Sequence, residues 1–132
     1  MKRAIALVLA LSATAAPAAD APVSPDTFDA LTRGRTLVYS DGERPYGIEQ
    51  YLPGRKVIWA FFGEECRMGE WYAEGSEVCF VYEDNPVPQC WTYFDTPGGL
   101  RARYRDDPDG APMISVRESE TPMPCAGPML GV

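Results

Sequence analysis

The side chains of this 132-residue chain that could do chemistry are carboxylates and cysteines, because the sequence contains no histidine. Without histidine there are no Ser-His or Cys-His nucleophile pairs and no histidine general base. Acid–base chemistry would have to use carboxylates, and two of them in one cleft could hydrolyse a glycosidic bond. The candidates are Glu64, Glu65, Glu70, Glu74 and Asp95. Their spacing places no two of them face to face, so no catalytic residue is assigned.

The four cysteines predict two structural disulfides, although four cysteines allow three pairings. Cys79 and Cys90 lie symmetrically about the middle of the connection 82–88, so strands paired in that register would place them opposite each other. Cys66 and Cys125 would then join the irregular C-terminal tail to the start of a strand. The chain has no C-x-x-C motif, and zinc would need all four thiolates, so we predict no metal site and no cofactor.

Two charged segments were weighed as binding sites. Asp106–Gly110 ends in D-x-D-G but lacks the remaining ligands of a calcium loop, which favours a solvated turn. The segment 100–105 alternates apolar residues, predicted to face inward, with arginines that face outward. These arginines could hold an anion or an acidic partner, although pairing with carboxylates on neighbouring strands is the favoured interpretation. They are Arg101, Arg103 and Arg105.

Aromatic residues are concentrated between Lys56 and Phe94, which also holds all three tryptophans. In a small barrel such residues more often fill the core, but they can also line a ligand cavity. The candidate ligand-binding residues, beside the three arginines, are Trp59, Trp71, Tyr72, Trp91 and Tyr93.

The order of helix, strand and turn signals predicts the elements that position these residues. Ser24 as cap, Pro25 at the first position and Gly34 at the exit predict a short N-terminal helix. Gly69 indicates a bulge or close packing beneath an aromatic ring. Turn signals at roughly ten-residue spacing then separate short strands. The predicted strands are 36–39, 46–52, 56–62, 67–73, 78–82, 89–94, 100–105 and 113–117.

These elements predict an all-β fold: an antiparallel meander of about eight short strands, closed or curled into a small barrel. The alternative is a two-sheet sandwich.

Residues 1–18 have the form of a secretory signal peptide, with Lys2 and Arg3 before an apolar run and Ala16-Pro17-Ala18 at the cleavage site. We expect its removal to leave residues 19–132 as a single β domain with a short N-terminal helix and an irregular tail. This domain is expected in the periplasm or outside the cell, without a membrane span.

The charge of the chain argues against nucleic acid as a partner. Loss of Lys2 and Arg3 leaves ten cations against nineteen anions, a net charge near −9. Such a surface repels polyanions and keeps an exported protein dispersed.

The chain also resembles an uncharacterised group of small exported bacterial proteins. The resemblance lies in a T-L-x-Y strand at Thr36–Tyr39, a G-x-W-Y strand at Gly69–Tyr72, and the Val-Cys-Phe and Cys-Trp strands at 78–80 and 90–91. It implies an exported β domain and brings no catalytic residues. In size and architecture the chain is also similar to small periplasmic inhibitor barrels that block secreted proteases or lysozymes, a likeness of fold alone.

Three functions are therefore expected in order. The first is an exported, non-enzymatic binding module for a protein or a small apolar ligand. The second is an inhibitor of a secreted or periplasmic hydrolase, acting through the N-terminal arm or the loop 83–88. The third is a carboxylate-based hydrolase.

Overall fold

The computed structural model describes residues 21–121, 123 and 125, and the expected signal peptide 1–18 lies outside them. Eight antiparallel strands form a closed barrel in which each strand pairs with the next and the last pairs with the first. The all-β barrel is thus confirmed, and the two-sheet sandwich is wrong. The elements are α1 (Pro25–Thr32), β1 (Thr36–Ser40), β2 (Pro45–Leu52), a 3-10 turn (Pro53–Arg55), β3 (Lys56–Phe61), β4 (Arg67–Glu74), β5 (Glu77–Tyr82), β6 (Asn85–Thr96), β7 (Gly99–Tyr104) and β8 (Met113–Glu118).

Helix α1 begins and ends where the sequence predicts. Ser24 accepts a hydrogen bond from the backbone N–H of Thr27 at 3.1 Å, and Gly34 leaves the helix with a φ of 79°. The helix sends Phe28, which is fully buried, into the barrel, where its ring lies 5.7 Å from that of Tyr51 and 5.3 Å from that of Trp71. Because α1 directly precedes β1, it closes the end of the barrel at which β1 starts.

Alternate residues of the strands fill the barrel interior, as expected from the period of two in an extended chain. The segment 100–105 follows the prediction, with Leu100 and Ala102 buried and Arg103 and Arg105 exposed. Pairing of β1 with β8 closes the sheet on itself. The buried interior residues are Phe28, Leu37, Tyr39, Tyr51, Val57, Trp59, Trp71, Val78, Phe80, Tyr93, Leu100, Ala102 and Met113.

A second apolar cluster covers the outside of β1, β2 and β3. It contains Val38, Ile48, Ile58 and Ala60, which the tail residues Met123 and Cys125 shield from water. This explains why β3 carries large apolar groups on both faces, as the sequence predicts. The disulfide between Cys66 and Cys125 fixes the tail in this position, with 5.5 Å between their Cα atoms.

Both predicted disulfides are present, and all four cysteines are bonded. Cys79 and Cys90 are direct cross-strand partners of β5 and β6, in the expected register. In the described part of the chain, no helix has the length and apolar character needed to cross a bilayer.

Strand β6 is longer than the sequence indicates. The segment 83–88 was expected to be a loop, but β6 begins at Asn85 and only Glu83 and Asp84 form the turn. Pro86 and Pro88 are tolerated because residues 86–88 pair with neither neighbouring strand. Pairing with β7 starts only at Trp91, and the register with β5 shifts between Phe80, opposite Gln89, and Tyr82, opposite Asn85. The missing N–H groups of the prolines therefore interrupt no ladder.

Candidate functional site

Glu49 is a buried carboxyl group inside the barrel, in the middle of β2. Its side chain is almost inaccessible, at 2% exposure. Among the described residues it forms no ion pair with an arginine or lysine. A buried carboxylate without a cation is costly, so its presence here requires other groups to hold it.

Tyrosine hydroxyls provide that support. Tyr82 of β5 donates to Oε1 of Glu49 at 2.7 Å, and Tyr51 donates to Oε2 at 3.0 Å. The hydroxyl of Tyr39 lies 2.6 Å from that of Tyr51. Since Tyr51 uses its only proton on Glu49, Tyr39 must be the donor in this pair whenever Glu49 is ionised. The hydroxyls thus form a directed chain from β1 through β2 to the carboxylate.

Burial sets the protonation of this cluster. It raises the pKa of Glu49 from the ordinary 4.5 to about 7, while the bonds from Tyr82 and Tyr51 act in the opposite direction. Burial, followed by the field of Glu49, also raises the pKa of Tyr51 and Tyr82 well above 10. The tyrosines therefore stay protonated and remain donors, while Glu49 changes charge near neutral pH.

The hydroxyl of Tyr93 adds an unusual feature to the cluster. It is buried, and among the described residues it has no hydrogen-bond partner. Burial first, then the charges of Tyr39 and Glu49, raise the pKa of this hydroxyl well above 10, although the hydroxyl of Tyr51 acts in the opposite direction, so Tyr93 stays protonated. A buried hydroxyl without a partner costs free energy, which a ligand could recover.

Both Glu49 and Tyr93 line a pocket of about 180 Å³. Its aromatic walls come from β2 and β3 on one side and from β5 and β6 on the other. In the first wall, the Trp59 ring lies 6.1 Å from that of Tyr46 and 5.2 Å from that of Phe61. The other residues that line the pocket are Arg67, Phe80, Tyr82, Gln89, Trp91 and Met113. Most of them lie near the ends of strands opposite α1, so the pocket opens at that end.

Two glycines make room for the rings around the pocket. A Cβ at position 47 would overlap the indole of Trp59. A Cβ at position 69 would lie 2.7 Å from Cδ1 of Tyr82, the residue directly opposite Gly69 on β5. The close packing beneath an aromatic ring predicted for Gly69 is thus confirmed. It allows Tyr82 to lie where its hydroxyl reaches Glu49.

Arg67 lies at the mouth of the pocket, and acidic neighbours offset its charge. Its Nε lies 3.1 Å from Oδ2 of Asp84, and its Nη2 lies 3.4 Å from Oε2 of Glu64. The guanidinium also lies 5.4 Å from the centre of the Phe61 ring. Arg67 therefore holds the rim together, and the charge deeper in the pocket is that of Glu49.

The aromatic residues that the sequence suggested as ligand contacts fall into two groups in the structure. Trp59, Trp91 and Tyr93 line the pocket. Trp71 instead packs on Phe28 of the helix, and Tyr72 is 39% exposed on the outside of the barrel.

The three arginines lie on the outside of β7, away from the pocket. Arg105 bonds to Glu77 at 2.9 Å and to Glu74 at 3.2 Å, which is the carboxylate pairing favoured from the sequence. Those bonds raise the pKa of its guanidinium further above the ordinary range. Arg101 and Arg103 lie over the ring of Phe94, at 4.9 and 5.5 Å from its centre.

The carboxylates considered for catalysis do not meet in this pocket. Among the described acids only Glu49 lines it. Glu74 lies near the sulfurs of Cys79 and Cys90, but these sulfurs are bonded to each other, so they offer no thiolate to a metal.

Sequence reasoning missed Glu49, which is the central residue of this site. In the segment YGIEQYL the apolar Ile48 looks better suited to the interior than its neighbour Glu49. Ile48 in fact faces the outer cluster beneath the tail, while Glu49 and Tyr51 point inward. A signal in the sequence was the tyrosine two residues after Glu49, on the same face of the strand.

No protein-family model, curated protein or solved structure matches this chain, so the functional assignment depends on the site itself.

Proposed function

We propose that this protein is an exported, non-enzymatic binding module that takes a small, largely apolar molecule into the open end of its barrel. The observation that carries the proposal is the aromatic pocket with Glu49 at its inner end, beside the Tyr93 hydroxyl, which has no partner in the described part of the chain. Mouths of small β-barrels are common ligand sites, with apolar walls and a few polar groups that fix orientation.

The size of the pocket suits a molecule of about one aromatic ring. Its volume is about 180 Å³, and an apolar protein cavity of roughly 150 Å³ takes up benzene. The opposite end of the barrel is different, because Phe28 and Trp71 fill it with edge-to-face packing. One end of the interior is thus solid core and the other is hollow.

Two disulfides in so small a domain support export to an oxidising compartment, in the periplasm or outside the cell. The acidic surface supports a dispersed protein that does not bind nucleic acid.

A second candidate function, inhibition of a secreted hydrolase, has one specific observation in its favour. At the tip of the β5–β6 hairpin, Val87 is 64% exposed between Pro86 and Pro88. A rigid strand with an exposed apolar side chain is suited to enter the cleft of an enzyme. The hollow interior has no role in this function, which is why we place it second.

The experiment that tests the first proposal uses benzyl alcohol, a neutral aromatic probe, and NMR of the disulfide-bonded domain. We expect shifts at the indole N–H signals of Trp59 and Trp91 and little change at Trp71. Gln89→Phe narrows the pocket and should abolish these shifts, whereas Met68→Phe, on an exposed outer site, should not. Shifts spread over the surface, or equal loss in both variants, would contradict the proposal. Native mass spectrometry of protein from its own host then identifies a retained ligand.

A further inference from the structure

We propose that the ligand is a small organic ammonium ion with an aromatic or apolar body, and that its charged nitrogen binds between Glu49 and Tyr93. This inference rests on the pocket being a ligand site and specifies what that site selects. It depends on the charge, the hydrogen-bonding capacity and the wall composition of the pocket.

The charge at the inner end of the pocket favours a cationic ligand. Glu49 is 2% exposed and has no cationic partner among the described residues, whereas Arg67 at the mouth is paired with Asp84 and Glu64. The inner end of the pocket therefore carries an unbalanced negative charge whenever Glu49 is ionised. A cation there would supply the missing partner in a region of low dielectric, where such pairing is strong. The net charge of −7 draws cations toward the protein as a whole.

The free hydrogen-bond acceptors in the pocket favour a ligand that donates N–H groups. Each carboxylate oxygen of Glu49 accepts one bond from a tyrosine and keeps a free lone pair. The Tyr93 hydroxyl has an unused lone pair, and no partner for it lies among the described residues. An ammonium group carries up to three N–H donors and no acceptor, so it matches both atoms. A ligand carboxylate would face the charge of Glu49 instead.

The aromatic walls of the pocket favour a cation with an apolar body. Tyr46, Trp59 and Phe61 form one aromatic face. On the other side of the interior, the ring of Tyr82 stacks on that of Phe80 of the same strand, with 6.2 Å between the ring centres. Faces of aromatic rings attract cations, and the attraction grows when the site is shielded from water. The same rings bury the apolar body of the ligand. Carboxylate, unpaired hydroxyl and aromatic faces therefore favour the same ligand class.

The test compares three probes of nearly equal shape: benzylamine, benzyl alcohol and benzoate, titrated by calorimetry at about pH 8. We expect benzylamine to bind roughly tenfold or more tightly than benzyl alcohol, the factor typical of a charge-assisted hydrogen bond, with benzoate weakest. Glu49→Gln should remove this preference. Glu70→Gln removes the same charge from an exposed site that pairs with Lys56, and should leave the preference intact.

The outcomes separate the inference from the function on which it rests. Equal binding of benzylamine and benzyl alcohol would overturn the ammonium assignment and leave a neutral-ligand pocket. Tighter binding of benzoate would also overturn it and would assign the recognition to Arg67. If neither amine nor alcohol binds, both proposals fail. Equal loss of the preference for benzylamine in Glu49→Gln and Glu70→Gln would overturn the inference, because the acidic surface alone would then attract the amine.

A second variant avoids dependence on Glu49, whose replacement could disturb the fold. Tyr93→Phe removes only the unpartnered hydroxyl. It should weaken benzylamine several-fold, by the loss of one hydrogen bond, and leave benzyltrimethylammonium, which has no N–H, unchanged. Equal weakening of both cations would contradict the placement of the nitrogen beside Tyr93.

Discussion

The hydroxyl of Tyr82 on β5 donates a hydrogen bond of 2.7 Å to Oε1 of Glu49 on β2, across the interior of the barrel. The two residues are 33 positions apart in the chain, and neither strand pairs with the other. This contact joins the two aromatic walls at the inner end of the pocket. It also determines how the site responds to pH, which leads to the first three predictions.

The stability of the fold should fall as pH rises through neutrality because of Glu49. Its pKa is 4.5 ordinarily and about 7 in the folded protein, so only the unfolded chain is ionised between these values. The contribution is complete below pH 4.5 and is lost as pH rises through about 7. From these values we expect a loss of roughly 3 kcal/mol between pH 5 and 8.

Glu49→Gln should abolish this dependence, because glutamine mimics the protonated carboxyl with one donor and one acceptor. Urea unfolding of both proteins with their disulfides intact measures it across pH 5 to 8. The difference in unfolding free energy between Glu49→Gln and the parent should grow with pH. A constant difference would contradict the buried, unpaired state of Glu49.

Tyr82→Phe should raise the pKa of Glu49 further. The Tyr82 bond is the largest of the effects that oppose burial. A hydrogen bond to a charged group contributes roughly 1.5 kcal/mol or more, so its loss should move the midpoint upward by on the order of one pH unit. The side-chain carboxyl signal of Glu49 in NMR reports this midpoint. Tyr72→Phe, an exposed change on the next strand, should leave it in place.

Affinity for benzylamine should rise between pH 6 and 8, because only ionised Glu49 attracts it. With a Glu49 pKa of about 7, the ionised fraction changes roughly tenfold over that interval. The other titratable or charged groups that line the pocket are Tyr46, Tyr82, Tyr93 and Arg67, and the hydrogen-bond chain behind Glu49 adds Tyr51 and Tyr39. The pKa of every tyrosine in this set is raised above 10, so none titrates in this range. Calorimetry at both pH values measures the change, and a flat profile would contradict it.

Gly69→Ala should lower both the free energy of unfolding of the barrel and the affinity of the pocket for its ligand. The new Cβ would lie 2.7 Å from Cδ1 of Tyr82 and 2.7 Å from the carbonyl oxygen of Val81, which is backbone and cannot swing away. Overpacking of this kind costs roughly 1–3 kcal/mol. Gly98→Ala is the matched control, since its nearest neighbour is Thr96 Oγ1 at 3.8 Å. Urea unfolding should show the difference, and equal small effects in the two variants would be evidence against the close approach.

Removal of either disulfide should lower the stability of the domain, but only removal of Cys66–Cys125 should also release the C-terminal tail from the outer cluster. Loop-closure entropy gives about 3 kcal/mol for the bond spanning 11 residues and about 4 kcal/mol for the one spanning 59. Replacing Cys66 and Cys125 by alanine should also free Met123 and expose the outer cluster at Val38. Hydrogen exchange in β1 would then speed up by more than the loss of global stability explains, whereas replacement of Cys79 and Cys90 would speed it up only by that loss. Equal exchange in both variants would contradict the shielding role of the tail.

Much of the scaffold was predictable because its signals are local. Turn residues at regular spacing mark strand ends, Ser24 and Gly34 mark the helix, and alternation in 100–105 assigns inner and outer faces. Cys79 and Cys90 lie symmetrically about the middle of 82–88, which predicted their pairing. In the structure the turn lies at Glu83 and Asp84, and a register shift between Phe80 and Tyr82 brings Cys79 opposite Cys90. The predicted start of β6 was wrong because proline usually ends a strand. Pro86 fits because β7 pairs only from Trp91 onward and the register of β5 with β6 shifts at this point.

The amino-acid sequence by itself indicated the strands, their order and the absence of histidine chemistry, and it predicts export. The tertiary structure alone decided where its functional groups meet. Ile48 and Glu49 are both buried, one beneath the tail and one inside the barrel, so alternation could not tell which faces inward. Closure of β8 on β1, and the space left by Gly47 and Gly69, bring Glu49 and Tyr82 into contact across the interior. Such long-range contacts leave no periodic signal, because they depend on the barrel as a whole.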